Sequence, residues 1–312
     1  NSTWGGTQVE SWMSEAAVRQ DPSAEAIQRR WQKRLDEYPA KLVAYEKALA
    51  DWHARADAAR ARGEVFVQPA PPKAEGPMSR WMPGGLYNAM IAPLLPQPFR
   101  GVIWYQGEAN APRAGEYASL FQGLIRQWRE DLGRETQFYF VQLANHDRKF
   151  DKTRVTWAYL REAQAEALAL PHTGMVVTID IGDVNDVHPK NKQEVGRRLA
   201  LLARRDLFGE AVNAEGPIFQ AARREGSALR ISFEHAGGLH SQGRPITGIE
   251  VAGADRKFVP ATARIERDTL VVSAEGVAEP QAVRYAWHNF PDACLFNAEG
   301  LPAAPFRSER WD

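Results

Sequence analysis

The chain has 312 residues, of which 44% are hydrophobic and 25% charged, as in globular proteins of one large domain or two ordinary ones. Its 39 Lys and Arg balance its 39 Asp and Glu, so no field of one sign favours nucleic acid or an anionic membrane as partner. No apolar run approaches the roughly 18 residues of a membrane span, and the single cysteine, Cys294, excludes an internal disulfide.

The chain begins with paired glycines between tryptophans, Trp4-Gly5-Gly6-Thr7 followed by Trp12. Paired glycines indicate a loop whose backbone comes close to a ligand or to another chain. The spacing alone is equally compatible with a plain tight turn, so these residues gain meaning only from their context.

Residues 23–62 are rich in Ala, Arg, Lys and Glu and carry an apolar stripe at alternating steps of three and four. The stripe consists of Leu35, Tyr38, Leu42, Tyr45, Leu49 and Trp52. This period predicts helix, and Pro39 predicts a kink or the start of a second helix. Because a proline-rich connector follows at residues 68–77, we predict a helical-hairpin insertion over about 23–67.

The next part of the chain alternates short apolar strands with amphipathic helices. Strands are predicted at 101–106, 137–143 and 175–179, and helices at 86–95, 114–131, 157–170 and 191–205. Such alternation is typical of βαβ units and a parallel sheet.

After about residue 213 the pattern changes to short strands separated by Gly, Pro, Asp and Asn turns, which predicts an antiparallel β-sandwich. We therefore predict an α/β core over residues 1–212 and a β-rich accessory domain over 213–312. The tail of the accessory domain is expected to pack on the core.

Polar side chains follow two of the predicted parallel strands. The first strand runs into Trp-Tyr-Gln-Gly-Glu-Ala-Asn at residues 104–110, and the third into Asp180-Ile-Gly-Asp183-Val-Asn185-Asp186-Val-His188. Open α/β sheets bind ligands at the carboxyl ends of their strands. Both clusters are therefore candidate parts of one site, although a core strand with an ordinary turn explains the first equally well.

Three interpretations of the second cluster stay open at this point. Its three carboxylates and His188 have the ligand chemistry of a metal site. His188 also suits a general base that an Asp orients and stabilises. The third interpretation is an acidic turn that caps the following helix.

Four separated stretches resemble the sialate O-acetylesterase-like carbohydrate esterases, a branch of the SGNH hydrolases. They are residues 4–7 with Trp12, residues 104–110, residues 186–192 with 196–200, and residues 284–287 with 300–307. Residues 104–110 are similar to the family signature Trp-Tyr-Gln-Gly-Glu-Ser-Asn, and the order of the stretches matches the family.

The resemblance implies a fold and a reaction. The fold is a flavodoxin-like SGNH hydrolase core, a three-layer α/β fold with a parallel sheet, carrying the β-rich domain. The reaction is removal of acetyl esters from an acetylated carbohydrate by a serine nucleophile, with no cofactor. It also implies a periplasmic or secreted location.

The resemblance assigns roles to residues. His188 is the base, and the oxyanion hole comes from Gly5 and Gly6 together with Gln106, Gly107 and Asn110, because an oxyanion needs preorganised neutral donors. The substrate contacts expected near the site are Trp4, Trp104, Tyr105, Glu108 and Arg161. Core packing explains the aromatic members equally well. Arg161 is alternatively a helix-pairing contact or part of a solvated helix face.

The sequence departs from the family at two points. SGNH enzymes place Asp three residues before the histidine, where this chain has Asn185, so Asp186 and Asp183 become the candidates for orienting His188. The nucleophile block Gly-Gln-Ser-Asn occurs nowhere in the 312 residues. We therefore expect an upstream segment or separate chain to supply the serine.

Two rival functions follow from the same residues. One is a metal-dependent hydrolase that uses Asp180, Asp183, Asp186 and His188. The other is a catalytically inactive carbohydrate-binding or scaffold protein, which the missing serine and the β-sandwich favour.

Overall fold

In the computed structural model, which describes residues 1–147, 149–309 and 311, the chain divides into two units, Asn1–Pro96 and Gln97–Asp312. The predicted α/β core and β-rich domain meet inside the second unit, and their boundary at 212/213 stays a prediction. Across the described ranges, no helix combines the length and the apolar character needed to cross a membrane.

The first unit is built from helices. A 3-10 turn at Val9–Trp12 precedes α1, Glu15–Gln20, and the long α2, Ala24–Ala61. Ser14 begins α1 as its N-cap, since its hydroxyl accepts from the Ala17 N–H at 3.1 Å. A π-helical turn at Tyr87–Ile91 and a 3-10 turn at Ala92–Leu94 complete the unit.

The structure replaces the predicted two-helix hairpin with a single helix of 38 residues that continues through Pro39. The helix formers Ala, Leu, Lys and Glu on both sides offset the hydrogen bond that proline removes. The chain then returns without helix, because prolines between residues 69 and 77 lack the N–H groups a second helix needs. The return is held to α2 by the Trp52 indole, which donates to the Gln68 carbonyl at 2.8 Å.

The second unit contains the predicted parallel sheet. Its strands are β1, Gly101–Trp104; β2, Gln137–Val141; and β3, Thr173–Val176, in the order β1-β2-β3. Gly101 is paired with Gln137, and Phe138 with Thr173. All three strands are shorter than predicted, so the polar residues after them lie in loops at one edge of the sheet.

Helices cover both faces of this sheet, which confirms the three-layer α/β core. They are α3, Ala114–Leu132; α4, Thr156–Ala165; and α5, Lys192–Phe208. On one face, Phe121 of α3 packs edge-on against Phe138 and Phe140 of β2. On the other face, Tyr139 and Val141 pack against Leu199 and Leu202 of α5. Alternate residues of β2 thus point to opposite layers.

The β-rich half contains eight strands among the described residues. They are β4, Ile218–Glu225; β5, Ala228–Glu234; β6, Ile249–Ala252; β7, Val259–Pro260; β8, Thr262–Glu266; β9, Thr269–Ser273; β10, Ala282–Tyr285; and β11, Phe306–Arg307. They form two four-stranded antiparallel sheets, ordered β4-β5-β9-β8 and β11-β10-β6-β7. Phe306 stacks on Phe219 of the opposite sheet, so the predicted β-sandwich is confirmed.

The tail contacts the α/β half of the second unit. Arg307 of β11 binds the carboxylate of Glu162 on α4 through two nitrogens, at 3.0 and 2.9 Å. Both side chains are largely buried, so this paired contact fixes the tail in place.

Candidate active site

The loop after β1 carries two buried amide side chains. The Gln106 side-chain oxygen accepts from the Tyr117 hydroxyl at 3.0 Å, and its nitrogen donates to the Asn110 side-chain oxygen at 2.8 Å. These bonds fix the orientation of both amides. The NH2 group of Asn110 consequently points away from Gln106.

Gly107 lies between these two amides, where the neighbouring side chains leave no room for a Cβ atom. Its φ is +154°, and a Cβ there would lie 2.8 Å from Cδ2 of Leu160 and 3.3 Å from the side-chain nitrogen of Gln164. That nitrogen donates to the Gln106 carbonyl at 3.1 Å, and the Gln164 oxygen accepts from the Leu143 N–H. A side chain at position 107 would force the loop away from α4.

Tyr105, which precedes Gln106, and Glu108, which lies between the two amides in sequence, are both half-buried. Burial, followed by the charge of Glu108, raises the pKa of Tyr105, while its hydrogen bond to Thr178 acts in the opposite direction. Lys192 at the start of α5 lies with its Nζ 4.9 Å from the Tyr105 ring centroid. Burial also raises the pKa of Glu108, and the charges of His188 and Lys192 oppose this rise. The contact of Lys192 with Tyr105 therefore brings the start of α5 next to the loop after β1.

His188 is held by the carboxylate two residues before it. Oδ1 of Asp186 accepts the His188 main-chain N–H at 2.9 Å and lies 3.2 Å from the ring Nδ1. The main-chain bond is the largest influence that lowers the pKa of Asp186. The His188 side chain is 84% exposed, which leaves its Nε2 side open. Asp186 is thus in the orienting position that a base requires.

Asp183 contacts the main chain of its own loop instead of His188. Its side-chain oxygen accepts the Asn185 main-chain N–H at 2.9 Å and so closes the turn before Asp186. Its main-chain carbonyl faces the ring of His146 at 3.3 Å. The prediction that Asp183 orients His188 is not supported by these contacts.

Asp180 is committed to an ion pair. Both of its oxygens bind Arg198 of α5, at 2.7 and 2.6 Å, and the same guanidinium donates to the Val177 carbonyl and to Glu194. Asp180 therefore binds Arg198, whereas His188 contacts Asp186. Within the residues that the structure describes, no three His, Cys, Asp or Glu side chains converge to hold a metal ion. The donor set predicted for a metal-dependent hydrolase is not assembled.

Arg161 was predicted as a substrate contact, a helix-pairing residue or part of a solvated helix face, and the last of these is wrong. It is fully buried, and its guanidinium donates to the carbonyls of Leu143, Ala144, His288 and Asn289 at 2.7 to 3.0 Å. Burial lowers its pKa. Arg161 therefore joins the end of β2 to the β-rich half and has no exposed surface to offer a sugar.

Trp104 is likewise part of the core instead of a sugar-facing platform. It is only 7% exposed, and it contacts Phe121, Trp128 and Phe138 at ring-centroid distances of 5.7 to 6.5 Å. The last residue of β1 points into the aromatic layer under α3, which explains its burial. The prediction of a sugar contact at Trp104 is not supported.

The paired glycines lie in the first unit. Both are exposed, Gly6 has φ +68°, and its carbonyl accepts from the Trp81 indole at 2.8 Å. The Thr7 hydroxyl donates to the Trp4 carbonyl and accepts from the Trp12 indole, so the loop is a fixed turn. Trp4 is 53% exposed and remains available to a ligand. The part of Gly5 and Gly6 in an oxyanion hole stays a prediction.

Sequence reasoning missed the side chains that position the site. Tyr117 and Gln164 are buried and fix the loop after β1, and Asn145 accepts the Gly182 N–H at 2.8 Å beside the loop after β3. Tyr117 lies on the buried face of α3. A polar atom on an otherwise apolar helix face was the available signal.

A family model and the sequences of known proteins point to the same family. A family model described as "Carbohydrate esterase, sialic acid-specific acetylesterase" matches residues 72–204. The sialate O-acetylesterase of Mus musculus is 27% identical over 336 residues, which cover 98% of this chain and 59% of that protein. The Homo sapiens sialate O-acetylesterase is 30% identical over 253 residues, 71% of this chain and 48% of that protein.

A solved structure agrees with these relatives. The crystal structure of a carbohydrate acetylesterase from Xanthomonas citri matches with a TM-score of 0.78 and 37% identity, over 100% of this chain and 60% of that chain. The present chain therefore spans about three fifths of the length of the proteins that it matches most fully.

Proposed function

The chain belongs to the sialate O-acetylesterase-like carbohydrate esterase family, and from this premise we propose that it hydrolyses O-acetyl esters of a carbohydrate. The observation that carries the proposal is the contact of Asp186 with His188, in the loop before α5, whose Lys192 contacts Tyr105 beside the buried amides. The family membership supplies the class of reaction, and these residues supply a base and amide donors.

The proposed reaction begins with a serine hydroxyl attacking the acetyl carbonyl. His188 takes the hydroxyl proton through Nε2, while Asp186 stabilises the imidazolium at Nδ1. The carbonyl oxygen becomes an oxyanion, for which the Asn110 amide and main-chain N–H groups are the proposed donors. Gln106 then acts by orienting Asn110, and Gly5 and Gly6 are the further donors that the family resemblance assigns.

Collapse of the tetrahedral intermediate breaks the ester bond. His188 gives its proton to the departing sugar oxygen, and the acetyl group stays on the serine. A water molecule then attacks the acyl-enzyme and loses its proton to His188. His188 returns that proton to the serine oxygen as the acyl–oxygen bond breaks and acetate leaves. These steps balance without a cofactor.

We propose that the serine comes from outside the 312 residues, in a Gly-Gln-Ser-Asn block on an upstream segment or a separate chain. The family resemblance and the absence of this block from the sequence support the proposal. A periplasmic or secreted location is proposed from the same resemblance.

The test measures acetate release by the protein together with its upstream segment, on acetylated oligosaccharides and on p-nitrophenyl acetate. His188→Ala should lower kcat/KM at least 10³-fold, since a triad member is lost. His53→Ala, an exposed histidine on α2, is the matched control and should retain wild-type activity. Equal activity of the His188→Ala variant would overturn the mechanism. Sugar binding without ester turnover in the wild type would favour the inactive carbohydrate-binding alternative.

A further inference from the structure

A cleft lies in the first unit, beside the turn that carries Gly5 and Gly6. It has a volume of about 400 Å³, and its walls are Trp4, Tyr38 of α2, and the return segment at residues 73–80. This volume is in the range of small-molecule sites, about 300 to 1,000 Å³. Tyr38 of α2 and the return segment at residues 73–80 therefore form a concave surface together with Trp4.

Two aromatic rings line this cleft. Trp4 is 53% exposed, an unusual state for so large an apolar side chain in a turn held by hydrogen bonds. The Tyr38 ring is pressed against the return segment, because a Cβ on Gly76 would lie 2.7 Å from its Cζ. The glycine thus lets the tyrosine stand as a fixed wall, and both rings are positioned before any ligand arrives.

Charged and hydrogen-bonding groups complete the lining. Arg80 Nη2 lies 3.6 Å from Glu75 Oε1, and each side chain remains about one third exposed. Lys73 and Ser79 add an ammonium and a hydroxyl. Aromatic faces beside planar donors and acceptors suit a pyranose ring, which offers C–H groups on its faces and hydroxyls around its edge.

The cleft is joined to the glycine turn by direct contacts. Trp81, next to Arg80, donates its indole N–H to the Gly6 carbonyl at 2.8 Å. The Arg34 guanidinium of α2 covers the Trp81 ring at 4.2 Å from its centroid. A ligand in the cleft would therefore lie directly beside the turn to which the family resemblance assigns an oxyanion role.

We propose that this cleft is a glycan subsite that binds a sugar unit of the substrate other than the acetylated one. The cleft then makes a chain of sugars, rather than a single acetylated sugar, the preferred substrate. The inference deepens the proposed function and rests on it for the nature of the ligand. Trp4 and Tyr38 are the stacking walls, and Arg80, Glu75 and Lys73 hydrogen-bond to sugar hydroxyls.

Binding of non-acetylated glycans tests this independently of catalysis. The probes are hexasaccharides of xylan, cellulose and mannan, with xylose, glucose and mannose for comparison, titrated calorimetrically against the full protein. At least one hexasaccharide should bind tenfold or more tightly than its monosaccharide. Trp4→Ala and Glu75→Gln should each raise its Kd at least fivefold. Val43→Ala, 67% exposed on α2 and outside the cleft, is the control and should leave Kd unchanged.

The proposal fails if no hexasaccharide binds, or if Trp4→Ala and Glu75→Gln both bind as the wild type does. Glu75 is an exposed side chain, so its replacement keeps the test valid should Trp4→Ala fold poorly. Hydrolysis of p-nitrophenyl acetate, which carries no sugar, is measured in parallel. Its absence in the wild type would count against the esterase, whereas loss of hexasaccharide binding alone counts against the subsite.

Discussion

Replacing Arg161 by Met should destabilise the second unit by more than any surface substitution could. The guanidinium is fully buried and donates to four main-chain carbonyls, two after β2 and two between β10 and β11. Met keeps much of the side-chain volume but removes every donor. The change therefore isolates the hydrogen bonds from the packing.

The magnitude follows from the acceptors left behind. The Ala144 carbonyl keeps its bond from the Trp157 indole, and the Asn289 carbonyl keeps its bond from the His146 N–H. A buried acceptor that loses its partner costs about 1 to 3 kcal/mol, so the Leu143 and His288 carbonyls set an upper range near 2 to 6 kcal/mol. Removing the arginine also relieves the desolvation of its buried charge, which is worth several kcal/mol. We expect a net loss of about 2 kcal/mol from the free energy of unfolding. Against typical stabilities of about 5 to 15 kcal/mol, that is a large fraction.

Urea unfolding followed by circular dichroism measures this loss. Arg126→Met on α3 is the matched control, because Arg126 is exposed and bonds only to Gln122 among the residues described here. It should stay within about 0.5 kcal/mol of the wild type. An Arg161→Met midpoint equal to that of the control would refute the assignment of Arg161 as the link between the two halves of the second unit.

Three further predictions concern the candidate site and its surroundings. Gly107→Ala should lower the free energy of unfolding by about 2 kcal/mol or more in thermal unfolding, since the new methyl group would clash with Leu160. Gly115→Ala, at an exposed position of α3 with open space around it, should be neutral or stabilising. Equal effects of the two substitutions would contradict the steric argument. Tyr117→Phe should lower acetate release about tenfold by freeing the Gln106 amide, with KM changed little; unchanged kcat would remove Tyr117 from the positioning of the site. The hydrogen bond from Arg197, with that from Arg198, lowers the pKa of Glu194 to about 2 against the opposing effect of burial. Its stabilisation should be complete above pH 4.5 and lost as the pH falls towards 2, and Glu194→Gln should flatten that part of the stability curve.

The core was predictable where its pattern is local. β2 alternates between two layers, and both neighbours of the sheet, α3 and α5, carry apolar stripes of helical period. The proximity of Asp186 to His188 was also local, since only one residue separates them in the chain. Pro39 misled the prediction because its local cost was set against a long run of helix formers, and only the sum over that run decides.

The roles of single polar residues were less predictable. Arg161 receives its acceptors from His288 and Asn289, more than 120 residues later, and no local pattern announces such partners. Trp104 looks the same in sequence whether it faces a sugar or a core. Its burial follows from the direction of one side chain at the end of β1, which a one-residue shift would reverse.

The contacts that join the two halves of the second unit have a consequence in time. Asn289 binds Arg161 and Asp151 across 128 and 138 residues, and Arg307 binds Glu162 across 145. At roughly 5 to 20 residues per second, a ribosome needs on the order of ten seconds to make the intervening chain. During that interval Arg161 lacks the acceptors at residues 288 and 289, and the loops after β2 are not yet held. The α/β half therefore gains these hydrogen bonds only after the β-rich half has been made.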